Sequence, residues 1–140
     1  MSTTHKTVTV ERTNRPWGWF ENIDTAADSQ GNDQAKHQIK RLHVAPGQRI
    51  SLQKHAQRAE HWVVVRGTAR VTLGNPDGSA DNAAWREFDL TPGQHCDIAM
   101  GQVHRLANLG SEPVEIIEVQ LGSYLGEDDI TRLQDDFGRK

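Results

Sequence analysis

The segment most informative about the fold extends from Gly47 to Gly67 and reads GQRISLQKHAQRAEHWVVVRG. A second stretch, from Gly93 to Asn108, reads GQHCDIAMGQVHRLAN. Together they contain four polar side chains that can bind a metal ion: Gln53, His55, Glu60 and His104. One amide oxygen, two imidazoles and one carboxylate suit a borderline divalent metal that keeps positions open for water or a substrate.

The spacing of these residues predicts where their side chains point. Gln53 and His55 are two residues apart, so both face the same side of an extended strand. Glu60 faces one side of the next strand, and its neighbour His61 faces the other. If the strands close into a barrel, His104 can join the first three ligands inside it. The alternative is that His55 and Glu60 belong to a solvated surface, because the residues between them are polar.

The rest of the chain predicts an all-β domain. Short alternating segments are separated by Gly, Pro and Asn turns, which is typical of a sandwich or barrel. A loop is predicted over residues 24–35, and a short C-terminal helix over residues 128–137, capped by Asp128 or Asp129. The first 14 residues are interpreted as a loose arm or an edge strand. Strands are predicted over residues 36–44, 50–52, 60–65, 69–73, 85–90, 96–99, 104–108 and 114–121.

Length and composition limit the classes of protein. The 140 residues predict a single domain over residues 1–140. The net charge of −3 argues against nucleic acid as a partner. A single cysteine, Cys96, excludes an internal disulfide and fits a reducing compartment. No apolar run approaches the ~20 residues of a membrane helix, so we expect a cytoplasmic protein without a membrane partner.

The two glycine-bounded stretches resemble the two motifs of the cupin superfamily. The first motif is matched by four residues: Gly47, His55, Glu60 and Gly67. Gln53 replaces its first histidine. In the second motif Ala99 replaces the proline, and the remaining positions match: Gly93, Gly101, His104 and Asn108. The resemblance implies a double-stranded β-helix, the jelly-roll barrel of cupins, with Gln53, His55, Glu60 and His104 as metal ligands.

A narrower resemblance is to the type II phosphomannose isomerase family, and it extends from about residue 15 to residue 139. It is carried by RPWG at residues 15–18, SLQKH at 51–55, RAEHWVVV at 58–65 and EVQLGSYLGEDDI at 118–130. The family implies interconversion of mannose 6-phosphate and fructose 6-phosphate with one divalent metal, for which we expect zinc ahead of cobalt, manganese, nickel or iron. The 140 residues contain no Gly-rich nucleotide loop, so we expect a stand-alone isomerase domain without guanylyltransferase activity.

Other residues are candidates for proton transfer and substrate binding. Lys40 is in phase with apolar strand neighbours and is either an interior acid–base group or an exposed lysine. His61 is the other candidate, although strand alternation turns it away. Glu118 and Gln120 share one strand face and are candidates to line the pocket. Arginine guanidinium groups bind phosphate well. The candidates to bind the phosphate of a small phosphosugar are Arg58, Arg105, Arg132 and Arg139.

Three alternative functions stay open at this point. The same site could serve another metal-dependent sugar isomerase or epimerase. Two histidines and one carboxylate also suit a non-haem iron oxygenase. A non-enzymatic cupin that binds a sugar phosphate would keep the pocket without a working base. The resemblance further implies a homodimer, because cupins often associate through exposed sheet edges.

Overall fold

The computed structural model describes residues 11–26, 36–77, 79 and 85–139, and these form an all-β domain. No helix in this part of the chain is long and apolar enough to cross a membrane. The strands within these ranges are β1 (Arg12–Arg15), β2 (Gly18–Ala26), β3 (Lys36–Val44), β4 (Leu52–Lys54), β5 (Arg58–Arg66), β6 (Ala69–Leu73), β7 (Arg86–Leu90), β8 (His95–Ile98), β9 (His104–Ala107), β10 (Val114–Gly122) and β11 (Thr131–Gln134).

The strands assemble into two antiparallel sheets. One has six strands in the order β1-β2-β3-β10-β5-β8, and the other has five in the order β11-β4-β9-β6-β7. Strands distant in sequence lie side by side, since β10 pairs with both β3 and β5. The inner faces of the two sheets enclose a barrel interior, which confirms the predicted all-β class.

The barrel interior changes from apolar to polar along its length. Strand β10 alternates between buried and partly exposed residues, and its first inward-facing residue, Val114, lies opposite Val44. Further along, Glu118 lies opposite Lys40 on one side and Trp62 on the other. Two residues later, Gln120 lies opposite Glu60. Because inward positions repeat every second residue, one strand face supplies the apolar core and then the polar wall of a pocket.

The predicted C-terminal helix is wrong. Residues 131–134 form β11, which pairs with β4 so that Arg132 lies opposite Gln53. Asp129 does not cap a helix; its carboxylate accepts hydrogen bonds from the backbone N–H groups of Ala56 and Gln57. The unpaired edge of β4 offers backbone hydrogen bonds that outweigh the modest helix propensity of this short polar segment.

The N-terminal part adds strands to the same sheet. Residues 12–15 form β1, the edge strand next to β2. Within the predicted loop over residues 24–35, β2 continues to Ala26, and residues 27–35 lie outside the described part of the chain, as do residues 1–10. Trp17 lies in the turn that joins β1 to β2, and its side chain is buried. This hairpin covers one side of the polar end of the barrel.

Candidate metal centre and adjoining pocket

Three buried side chains from three parts of the chain converge at the polar end of the barrel. His55 directly follows β4, Glu60 lies on β5, and His104 begins β9. One ligand atom from each residue lies within 4.8 Å of the others. Glu60 is in the middle, with Oε2 3.3 Å from Nε2 of His55 and Oε1 3.5 Å from Nε2 of His104. The triad forms a candidate metal centre.

The hydrogen bonds of the two imidazoles fix which nitrogen can bind a metal. Nδ1 of His55 donates to the carbonyl oxygen of Asp129 at 2.7 Å, and Nδ1 of His104 donates to the carbonyl oxygen of Gln102 at 2.9 Å. The proton is therefore on Nδ1 in both rings, and the lone pair of each Nε2 points into the cluster. This is the orientation that metal-binding histidines normally adopt.

Both imidazoles are neutral at physiological pH, as metal ligation requires. Burial lowers the pKa of His55 to about 3, and the nearby His104 and Arg58 act in the same direction. Burial also lowers the pKa of His104 to about 4. Nε2 of His104 is fully enclosed and has no hydrogen-bond partner among the described residues. A buried nitrogen lone pair without a hydrogen-bond donor is energetically costly. A metal ion would satisfy it, so His55, Glu60 and His104 are suited to bind a metal ion.

Gln53, the fourth predicted ligand, lies beside the triad. Its Oε1 accepts a hydrogen bond from the hydroxyl of Ser51 at 2.6 Å, and its Nε2 is 3.3 Å from Nε2 of His55. An amide nitrogen has no lone pair for a metal. A half-turn of the amide exchanges its two ends and brings the oxygen to His55, so the role of Gln53 as a ligand stays a prediction.

Arg58 packs directly against the triad. Its Nε donates to Oε2 of Glu60 at 3.0 Å, and its Nη2 lies 3.2 Å from Nε2 of His55. The guanidinium is 5% exposed and neutralises part of the buried negative charge. Its Nη1 has no hydrogen-bond partner within the described ranges. A buried donor of this kind is available to an anionic or hydroxylated ligand.

A pocket adjoins the triad, and its charge is opposite to that of the whole chain. In the described part of the chain its lining includes three acidic side chains, Glu60, Glu118 and Glu127. The same lining contains five basic side chains, Arg15, Lys40, Arg58, Arg132 and Arg139. A positive pocket in a chain of net charge −3 favours an anionic ligand.

Glu118 and Gln120 both face this pocket and are buried. Burial, and after it the adjacent carboxylate of Glu60, raise the pKa of Glu118 to about 8, because a second negative charge is unfavourable in this buried site. Nε2 of Gln120 donates to Oε1 of Glu118 at 3.3 Å. Glu118 therefore carries a proton at neutral pH, which reduces the negative charge of the pocket.

The two candidates for proton transfer lie in different places. Lys40 is 4% exposed, lines the pocket and forms an ion pair with Glu127. Its ammonium lies 4.3 Å from the centre of the Phe20 ring. His61 faces the outer side of β5, where it pairs with Asp97 and contacts the ring of His95. Strand alternation alone accounts for this difference, since His61 follows the inward-facing Glu60.

The four arginines that are candidates for phosphate binding also lie in different places. Arg58, Arg132 and Arg139 line the pocket, whereas Arg105 is used for structure. Its guanidinium donates to the carbonyl oxygen of Ile50 and to the side chain and backbone of Gln134. Burial lowers the pKa of Arg132, and the positive charges of Arg139 and Arg15 lower it further. All three residues line the same pocket.

Three residues at the site are not among the sequence-based candidates. Arg15 and Glu127 line the pocket, and Asp129 contacts both His55 and the turn after it. They come from the β1–β2 hairpin and from the loop between β10 and β11. Both segments belong to those that carry the family resemblance, RPWG and the stretch ending in GEDDI, which is the signal that could have identified them.

Comparison with solved structures identifies the fold. CapF, a capsular polysaccharide assembling protein of Staphylococcus aureus, superimposes with a TM-score of 0.73 at 17% identity, covering 91% of this chain and 33% of CapF. Oxalate decarboxylase of Lactobacillus farciminis gives a TM-score of 0.65 at 21% identity, covering 89% of this chain and 33% of that enzyme. These likenesses concern the fold, and with the two-sheet topology they confirm the predicted cupin double-stranded β-helix.

Within the cupins, the chain belongs to the family described as mannose-6-phosphate isomerase C-terminal, whose model matches residues 2–135. It is 48% identical over 125 residues to the alginate biosynthesis protein AlgA of Pseudomonas aeruginosa, covering 89% of this chain and 22% of AlgA. It is 42% identical over 125 residues to the mannose-1-phosphate guanylyltransferase ManC of Salmonella typhimurium, again covering 89% and 22%. The chain thus spans about a fifth of the length of these relatives.

Proposed function

We propose that this domain interconverts mannose 6-phosphate and fructose 6-phosphate with the help of one divalent metal ion. The observation that carries the proposal is the buried His55–Glu60–His104 triad, whose two imidazoles are neutral, opening into a positively charged pocket. Membership of the mannose-6-phosphate isomerase family supports the reaction. The proposal concerns this domain and not the whole of its longer relatives.

The metal would be held by His55, Glu60 and His104, with Gln53 as the fourth ligand. Two imidazoles and one carboxylate are a common zinc donor set, so zinc is the ion we propose. When bound, a divalent cation polarises carbonyl and hydroxyl oxygens of the substrate as a Lewis acid. A bound cation would also favour the ionised form of Glu118, whose pKa is raised by burial and then by the Glu60 carboxylate.

The chain's own residues would bind the sugar phosphate and move its protons. An aldose–ketose exchange removes the proton on C2 of mannose 6-phosphate and returns a proton to C1, through an enediol. We assign this transfer to Lys40, because it lies in the pocket and His61 does not. Its ammonium would first pass a proton to the paired Glu127 carboxylate, and the neutral amine would then take the proton from C2 and return it to C1. The phosphate would be held by Arg15, Arg132 and Arg139, whose charges favour a dianion.

The test is isomerase activity with the metal removed and restored. The purified protein is treated with a chelator and then given zinc, cobalt, manganese, nickel or ferrous iron, and fructose 6-phosphate formed from mannose 6-phosphate is measured. We expect metal-dependent turnover that His104→Ala abolishes. His43→Ala is the matched control, because His43 stacks on Trp19 outside the barrel. A folded, metal-loaded protein without turnover would contradict the assigned reaction and favour a binding role.

A further inference from the structure

The loop between β10 and β11 contacts the candidate metal centre through one residue, Asp129. Its carbonyl oxygen accepts the proton of His55 Nδ1 at 2.7 Å. Its carboxylate oxygens accept the backbone N–H groups of Ala56 and Gln57, each at 2.9 Å. Asp129 therefore holds both the ring of His55 and the backbone that follows it, although 74 residues separate Asp129 from His55.

These contacts matter because strand pairing does not hold this part of the chain. His55 lies one residue beyond the end of β4, and Ala56 and Gln57 are exposed before β5 begins. Without the Asp129 carboxylate the two N–H groups would be bound only by water, and the loop that brings the Asp129 carbonyl oxygen to His55 would be held less firmly. Hydrogen bonds to a carboxylate are stronger than neutral ones, so the side chain fixes this turn firmly.

The two preceding residues of the loop make different contacts. The Asp128 carboxylate accepts the hydroxyl proton of Tyr124 within the loop itself. The Glu127 carboxylate pairs with Lys40 on the other side of the pocket. Among these three consecutive acidic residues, Asp129 is therefore the one bonded to a ligand of the triad and to its turn.

We propose that Asp129 is a positioning residue that sets the metal affinity of this domain. By fixing the tautomer and direction of His55, it keeps the lone pair of Nε2 aimed at Glu60 and His104. The loop after the last long strand is then part of the metal centre, although it supplies no ligand atom. This inference rests on the metal centre of the proposed function but does not require the isomerase reaction.

The experiment measures metal affinity on the full chain, by competition for zinc with a chromophoric chelator. Removing a group that orients a metal-binding histidine typically weakens affinity by about 10- to 100-fold. Asp129→Ala keeps the carbonyl oxygen but removes the carboxylate that holds the loop, so we expect a loss of this size as the carbonyl moves away from His55. We expect a smaller loss for Asp129→Asn, which retains one acceptor oxygen. Asp128→Ala is the matched control from the same loop, and we expect its affinity to equal that of the unmodified chain.

The visible absorption spectrum of the cobalt-loaded proteins provides a second readout, because it reports ligand geometry and not folding. We expect an altered spectrum for Asp129→Ala and an unchanged one for Asp128→Ala. Equal affinities for Asp129→Ala and the unmodified chain, or equal losses in both variants, would overturn the inference. An unmodified chain that binds no metal would overturn the metal centre as well, whereas metal binding without isomerisation would remove only the proposed reaction.

Discussion

Lys40 differs from an ordinary strand lysine in its burial and in its partners. Its side chain is 5% exposed, and its ammonium is held between the Glu127 carboxylate and the face of the Phe20 ring. A cation over an aromatic face gains attraction without a full hydration shell. Glu127 itself is 53% exposed, so water can solvate it when a ligand displaces Lys40. The lysine is thus held at the pocket and remains available to a substrate.

Replacing this lysine tests its proposed part in proton transfer. Loss of a positioned acid–base group typically slows catalysis by about 100- to 10,000-fold. For Lys40→Met we therefore expect a fall of that order in kcat, with metal affinity and thermal stability little changed. Lys54→Met is the control, since Lys54 is turned away from the inward-facing Gln53 on β4. Steady-state kinetics at saturating mannose 6-phosphate measures the effect, and an undiminished kcat would assign the step to another group.

Asp135 carries a prediction about stability and pH. The backbone N–H, Nε and Nη2 of Arg139 donate hydrogen bonds to its carboxylate and lower the pKa of Asp135 from 3.8 to about 2. Because the pKa is lower in the folded state, the carboxylate stabilises the protein above pH ~4, and this contribution is lost as the pH falls through 2. The contribution is about 2 kcal/mol.

Urea unfolding at several pH values measures this contribution. We expect Asp135→Asn to be less stable than the unmodified chain at pH 7, and the difference to disappear as the pH falls from 4 towards 2. Asp97→Asn is the control, since the Asp97 side chain is 84% exposed. A difference that persists unchanged at pH 2 would show that Asp135 acts through packing and not through its charge.

At the scale of the elements, Arg105 joins strand β11 to the rest of its sheet. It is 6% exposed, and its three hydrogen bonds reach Ile50, before β4, and Gln134, at the end of β11. Hydrogen bonds from a charged group contribute about 1.5–3 kcal/mol when buried. Arg105→Met should therefore destabilise the fold by about 2–3 kcal/mol and increase amide exchange in β11.

Arg70 provides the matched control for this variant. It also makes three hydrogen bonds, to Asp89 and Glu87, but it does so at the surface, where its side chain is 34% exposed. Exposed ion pairs contribute little, so Arg70→Met should leave stability nearly unchanged. Urea unfolding and hydrogen exchange of residues 131–134 compare the two variants. Similar effects in both would show that burial does not govern the contribution of these guanidinium groups.

The elements that sequence could predict are those with a regular period. Alternation correctly placed Glu60 inside the barrel and His61 outside it, because β5 alternates between buried and partly exposed residues from Arg58 to Val64. The C-terminal segment has no comparable period, and its short polar sequence fits a capped helix as well as a strand. What decides its structure is the free edge of β4, a tertiary feature that local sequence does not contain.

The parts of the site that sequence could not predict come from outside the motifs. Arg15, Glu127 and Asp129 reach the pocket or the triad from segments far from the ligands in sequence. Arg105 shows the opposite case, since a phosphate-binding arginine and a structural arginine have the same sequence pattern beside His104. Only the direction of the side chain, towards Gln134 and away from the pocket, separates the two roles.

The molecule as a whole has a negative net charge, whereas its interior pocket is positively charged. The net charge is −3, yet the pocket lining within the described residues has five basic and three acidic side chains. The negative exterior limits non-specific binding to polyanions, whereas an anion small enough to enter meets the opposite potential. We therefore expect the pocket to favour small anions over polyanions.

The pairing of His55 with Asp129 across 74 residues also has a consequence for how the protein is made. A ribosome adds about 5–20 residues per second, so roughly 4–15 s separate the synthesis of these two residues. During that interval His55 has left the peptidyl-transferase centre without the loop that orients it. Strand pairing over such separations is itself slow, on the order of milliseconds to seconds. The proposed metal site is therefore complete only after the chain has been translated as far as Asp129.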